Sequence, residues 1–444
     1  MKGWVITMAN GTGRRVSPGT IFMLALTALV VVGCVLFFSM LVGDDLYERT
    51  GSFIRSLSVT EAEQAMEAVP ADAPTAFPAY FWLEDTPSPA APMATLTPVP
   101  APTTITIAAA GTVYAPKTVR ESASSGRQYD FSAVFSGLGD TLSKADLAIA
   151  TLETTLAGKD KGFDNYNTAP EILDALRACG VDLLSLATER ALDKGYEGLD
   201  LTISELTTRG LAYAGVTQEG ERNPATMMRI GGVQVAVLAY TYGMSDEGDA
   251  QTQGDQRAML AMMDTEKMME DIRQARVSGA NVVIVLAHWG TKNIAQTPVN
   301  VKRLAGELAQ AGADVILGTH PNVPQGTDRI LSTRADGLEY ETVVCYSLGN
   351  LLTDARTPQN TAGMIAHVSV TYDPVTRRTT IGEMYCTPVY IARQREQEKM
   401  VYRVVDAESA KALDALTDEQ KEAARQAVEL IRSATQADEQ EGHG

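Results

Sequence analysis

Residues Asn281–Pro321 read NVVIVLAHWGTKNIAQTPVNVKRLAGELAQAGADVILGTHP. Two short apolar runs, Asn281–Ala287 and Asp314–Leu317, have the length and β-branched content of buried strands, and Val299–Ala311 between them has helical periodicity. Strand, helix, strand within about forty residues is the sequence form of a crossover joining parallel strands. Each strand ends in a polar group, His288-Trp289-Gly290 after the first and Gly318-Thr319-His320-Pro321 after the second. In layered α/β folds such strand ends carry the chemistry.

The same alternation extends in both directions. Strands are expected at Thr104–Ala110, Asp146–Leu152, Val181–Leu186, near Ala212 and at Val233–Tyr240. Helices are expected at Pro170–Cys179, Gly198–Arg209 and Thr265–Ser278. After residue 341 the sequence turns strand-rich, at Thr342–Ser347, Gly363–Tyr372 and Thr379–Ile391, which suggests a second sheet. Thr417-Asp418-Glu419-Gln420 has the form of a capping box opening a helix to about Ser433, before an acidic end.

The amino-terminal part has another composition. Ile21–Val42 carries no charged residue and is long enough to cross a bilayer. Lys2, Arg14 and Arg15 precede it and Asp44 and Asp45 follow, so the positive-inside rule puts residues 1–20 in the cytoplasm and the remainder outside. The expected organisation is therefore a cytoplasmic segment (1–20), a signal-anchor helix (21–42), for which a cleaved signal peptide is the alternative, a juxtamembrane segment with a Pro/Ala/Thr-rich spacer (43–103), an α/β domain (104–391) and a helical, acidic tail (392–444). The implied location is the cell membrane, single-pass, with the main domain extracytoplasmic.

A formal charge of −18 argues against nucleic acid as a partner. Beyond Cys34 in the apolar run, Cys179, Cys345 and Cys386 have no metal-site spacing. Cys345 and Cys386 lie in strand-like runs, either as small buried hydrophobes or as a pair. Ser347 lacks a Gly-x-Ser-x-Gly elbow, and Gly111–Lys117 lacks P-loop spacing.

Six motifs occur in order: Asp146–Glu153, Asn167-Thr168-Ala169-Pro170, Leu186–Asp193 with Gly195, Val285–Gly290, Ala311–Asp314 leading to Gly318–Pro321, and Tyr346-Ser347-Leu348-Gly349-Asn350. In these the chain resembles the bacterial capsule-biosynthesis CapA family, also called poly-γ-glutamate synthesis proteins. The resemblance implies a metallophosphoesterase-like layered α/β/β/α sandwich. It also implies a part in the synthesis, export or anchoring of capsule, poly-γ-glutamate or another surface polymer. The partners so implied are the bacterial membrane, an anionic surface polymer and polymer-synthesis membrane proteins.

The family pattern further implies Asp, Glu, Asn and His at the strand ends, as in a two-metal centre. Here Gly111-Thr112 stands for Gly-Asp, Thr151-Leu152-Glu153 for Asn-Leu-Glu, Thr188-Glu189-Arg190 for Asn-Asn-His, Lys292 for a Glu, and Gly318-Thr319-His320-Pro321-Asn322 for Gly-His-His-Pro-His. Glu153, His288 and His320 remain as residual catalytic positions and as weak candidates for one loosely held divalent metal; no cofactor is otherwise indicated. Glu189 is a further conceivable oxygen ligand. Arg190, Lys292, Asn322 and Asn350 are candidates for binding a ligand, the two cations for an anionic group. Arg190 paired with Glu189 or Glu153, and a solvated Lys292, is the structural alternative. The ligand losses favour an accessory, anion-binding protein over an enzyme. A metal-dependent hydrolase or transferase on phosphoester or amide bonds is the alternative.

Overall fold

A computed structural model of the protein describes residues 100–217, 225–334 and 336–441. The expected anchor at 21–42 and the spacer as far as residue 99 lie outside the described residues. No described helix is long and apolar enough to cross a membrane.

The first half of the domain contains β1 (Thr103–Val113), β2 (Leu147–Leu152), α1 (Ile172–Ala178), β3 (Leu183–Ser185), α2 (Gly195–Thr208) and β4 (Ala212–Ala214). There follow β5 (Thr226–Ile230), β6 (Val233–Thr241), α3 (Thr265–Val277), β7 (Val282–His288), α4 (Val299–Ala311) and β8 (Val315–Thr319). The last part adds β9 (Thr327–Thr333), β10 (Glu339–Cys345), β11 (Asn350–Leu352), β12 (Ala362–Asp373), β13 (Arg378–Glu396), β14 (Lys399–Asp406) and α5 (Asp418–Glu441).

Two mixed sheets result. The first has the order β14-β13-β12-β1-β2-β3-β4, with β11 parallel to the far end of β1; the second has the order β9-β10-β8-β7-β6-β5. Strands β1 to β4 are parallel to one another, as are β6, β7, β8 and β10, so each sheet directs several carboxyl ends the same way.

Side-chain alternation explains the layering. Along β6, Val235, Val237 and Ala239 enter a core shared by both sheets, while Ala236, Leu238 and Tyr240 face Met268 and Ile272 of α3 and Ala305 and Leu308 of α4. A strand covered on both faces must be apolar throughout, as β6 and β7 are. Helix α3 starts where the Asp264 carboxylate accepts from the Lys267 amide, and α4 stops at Gly312, whose φ of 120° ends the helix. The Thr417–Gln420 capping box is formed in both directions. Helix α5 packs Ala424, Ala427 and Val428 against Tyr390, Ala392 and Val405.

The strand-rich end does not make a sheet of its own. Strand β10 joins the crossover strands beside β8, whereas β12 and β13 extend the first sheet from β1. The first sheet also continues past residue 391, since β13 runs to Glu396 and β14 pairs with it. The two sheets are tied together by the turn Tyr346–Asn350. Leu348 N donates to Gly318 O in the second sheet at 2.9 Å, and Thr112 N donates to Gly349 O from the first at 3.0 Å. A Cβ on Gly318 would lie 1.9 Å from Tyr346 O, and one on Gly111 would lie 2.2 Å from Gly349 O. Both glycines are required by backbone-to-backbone approach.

Candidate functional site

The carboxyl ends of both sheets converge on one buried polar cluster. Glu153 follows β2, Glu189 and Arg190 follow β3, Tyr242 follows β6, His288 ends β7, and His320 follows β8. Donor atoms of Glu189, His288 and His320 lie within 4.8 Å of one another. The His288 and His320 rings meet edge to face at 4.8 Å, and Tyr242 lies 4.4 Å from His320. His320 sits at φ 94° and Asn322 at φ 59°, a strained turn for residues with side chains.

After burial, Lys292 is the charge that acts on all four ionisable side chains Glu153, Glu189, His288 and His320. Its ammonium donates to Glu189 Oε1, and the Tyr242 hydroxyl donates to Oε2. Burial alone would push the Glu189 carboxyl up, but the Lys292 and Tyr242 hydrogen bonds and the Lys292 charge hold it below the usual range. Burial and repulsion from the neighbouring imidazole and from Lys292 keep His288 neutral, well below its usual value. Burial, opposed by Glu189 and helped by Lys292, brings His320 down to about 4. Nδ1 of His288 meets Thr319 Oγ1 at 3.2 Å, whereas its Nε2 and Nδ1 of His320 have no hydrogen-bond partner.

Glu153 is the opposite case. Burial outweighs the attraction of Lys292 and raises its carboxyl to about 7, and its Oε2 is unpartnered. A carboxyl raised in the folded state adds stability that is complete below its unfolded value, near 4.5, and disappears as pH rises through about 7. The Glu153→Gln variant should therefore gain on the wild type by about 2–3 kcal/mol between pH 5 and 8. Urea unfolding of both proteins across that range checks it, and the comparison cancels the opposite contribution of the two histidines.

Beside this cluster opens a cleft of about 200 Å³ lined by Glu153, Lys292, Asn322, Asn350, Tyr114 and Tyr166, among others. Asn350 Nδ2 donates to the backbone oxygens of Asn322 and Asn360, so its amide also fixes the cleft wall. Arg190 does not line the cleft. Its guanidinium lies 3.9 Å over the Tyr166 ring and is held by Asp193 at 3.2 Å and Glu189 at 3.5 Å. Trp289 packs in the second core, donating to Tyr346 O, and Ser347 donates to Val323 O. His367 lies in a separate cavity against Tyr385, and His443 falls outside the described residues.

Tyr242 was not among the sequence candidates. The register pairs Thr241 with His288, so Tyr242 leaves its strand at the level where the histidine cluster begins. Its one sequence signal is its place directly after the apolar strand Val233–Thr241, at a strand end like those of the two histidines.

A two-metal centre does not fit these residues. Thr112, Thr151 and Thr188 offer hydroxyls where such a centre needs strong donors, and Thr112 Oγ1 and Thr188 Oγ1 are buried without partners. Among the described residues three donor side chains converge, and the carboxylate among them already holds an ammonium.

Residues 106–355 match the family described as bacterial capsule synthesis protein PGA_cap. The chain is 27% identical over 192 residues to the PGA biosynthesis protein CapA of Bacillus subtilis, an alignment taking in 43% of this chain and 47% of that protein. It is 26% identical over 240 residues to the capsule biosynthesis protein CapA of Bacillus anthracis, covering 51% and 55% respectively. The chain thus spans about half the length of the curated relatives it matches. Among solved structures it is similar to the calcineurin-like phosphoesterase YfkN from Bacillus subtilis, with 13% identity, 74% of this chain and 99% of that chain covered, and a TM-score of 0.39.

Proposed function

The chain belongs to the bacterial capsule synthesis family PGA_cap, and on that premise we propose that it serves the synthesis, export or anchoring of an anionic surface polymer such as poly-γ-glutamate, as a metal-independent accessory protein. Its sandwich is read as a metallophosphoesterase-like fold in which a tethered cation replaces the metal charge. One observation carries this reading: Lys292 pairs with Glu189 and acts electrostatically on Glu153, His288 and His320 together. Residues 21–42 would hold the protein at the bacterial membrane beside polymer-synthesis proteins, the domain standing outside on its spacer.

The cleft is too small for a long stretch of polymer and suits one acidic unit. Lys292 is the one cationic side chain in its lining, facing the carboxyls of Glu153 and Asp354 and the amides of Asn293, Asn322, Asn350 and Asn360, so the acidic unit would sit at the lysine end. Titrating the purified chain with short γ-linked glutamate oligomers should give saturable, salt-sensitive binding, weakened about tenfold in Lys292→Gln. Equal affinity in the variant, or no saturation at all, would contradict the reading.

A hydrolase or transferase acting on phosphoester or amide bonds has one observation in its favour: Glu153, titrating near neutrality in the cleft, suits general acid–base work. Turnover abolished by Glu153→Gln, with binding retained, would establish that second reading.

A further inference from the structure

Cys345 ends β10 in the second sheet, and Cys386 lies in β13 of the first. The two strands meet across the core between the sheets. At one end Arg378 Nη2 donates to Glu339 O at 2.9 Å, and nearby Arg329 Nη2 donates to Gly382 O at 3.0 Å. Further along, past an irregularity in β13, the two strands bring their cysteines together, thiol to thiol. Cys345 is fully buried and Cys386 is partly exposed.

We propose that Cys345 and Cys386 form an intrachain disulfide that staples the two sheets when the chain meets a disulfide donor, such as a dithiol oxidase or oxidised glutathione. The two thiols already interact from strands of different sheets that pack on one core, the arrangement a cross-sheet disulfide needs. The exposed Cys386 thiolate attacks the donor disulfide, forming a mixed disulfide and releasing one donor thiol. The Cys345 thiolate then attacks the Cys386 sulfur and expels the second donor thiol. Two protein thiols are oxidised, one donor disulfide is reduced to two thiols, and no other reactant is needed. The contact with Cys386, then burial, push the Cys345 thiol well above the usual range; in the mixed disulfide burial alone remains, and the second step quickens as pH rises.

The bond would link a partly exposed strand to the strand beside β8, whose carboxyl end carries His320. It would therefore stabilise the arrangement of sheets on which the polar cluster depends. It is independent of any reading of the cleft.

The test is to incubate the purified full-length chain with oxidised glutathione, block free thiols, digest without reduction and identify linked peptides by mass spectrometry. A Cys345–Cys386 peptide pair is expected, lost in Cys386→Ala, with the thermal midpoint of the oxidised chain about 3–8 °C above the reduced one. Three results overturn the proposal: both cysteines alkylated after oxidation, a lasting glutathione adduct on Cys386, or linkage of either residue to Cys179 or Cys34. Cys179 is a useful control, because burial pushes its thiol up to about 11 and its Sγ donates to Leu176 O.

Discussion

Replacing Lys292 with alanine is expected to give the protein a divalent-cation site. The variant keeps Glu189, His288 and His320 with donor atoms within 4.8 Å, two of them neutral imidazoles with an unpartnered nitrogen. In the wild type a divalent ion entering that cluster would meet the ammonium now bonded to Glu189. Like unit charges about 4 Å apart repel by about 4 kcal/mol at an effective dielectric of 20, and a doubly charged ion doubles this. Lys292 is partly exposed, so solvent reduces the penalty, yet at least about 100-fold tighter zinc binding remains expected. Without metal the variant should lose about 1–2 kcal/mol, because Glu189 stays buried with Tyr242, the more distant Arg190 and the neutral His320 as its neighbours. Zinc should restore that loss by mass action. Calorimetric titration with zinc, followed by thermal unfolding with and without the ion, reads both effects. Equal zinc affinity in variant and wild type would show that Lys292 does not stand in for a metal.

Gly318→Ala is expected to be strongly destabilising although it adds only one methyl group. The new Cβ would lie 1.9 Å from Tyr346 O and 2.5 Å from Trp289 Nε1, and neither the backbone nor the buried indole can retreat. Relief requires moving the Tyr346–Asn350 turn, which breaks the Trp289 bond to Tyr346 O and the Leu348 bond to Gly318 O. Overpacking together with lost buried hydrogen bonds should cost about 3–4 kcal/mol. Guanidinium unfolding measures it directly. Because His320 follows two residues later and Asn350 ends the turn, glutamate-oligomer binding should weaken as well. A cost below about 1 kcal/mol would mean that the turn is not the rigid tie described above.

The crossover Asn281–Leu317 was legible because its signals are local. Helix α4 occupies Val299–Ala311 as its periodicity and the following Gly312 indicate, and His288 and His320 fall at strand ends as the motifs imply. Sheet membership was less legible. Residues 363–372 and 379–391 show a strand pattern and pair with one another, but that the first of them also pairs with β1 depends on a partner more than 200 residues away. The same limit applies to charge. That Arg190 and Lys292 stand where ligands are expected is written in the sequence. That Arg190 turns away onto Tyr166 and Asp193, while Lys292 lies among four potential ligands, follows only from how the strand ends meet. Tyr242 was missed for a related reason, since a tyrosine after an apolar strand has no distinctive sequence signature until Glu189 is placed against it.

On the reading proposed above, the Lys292 ammonium holds the position of a metal charge in this capsule-synthesis family domain. The most direct test is elemental analysis of the purified wild-type chain after incubation with manganese and zinc and exhaustive dialysis. No ion should be retained by the wild type, and one zinc should appear in Lys292→Ala. Two ions held per wild-type chain would contradict that reading and make a metal-dependent phosphoesterase the one to pursue.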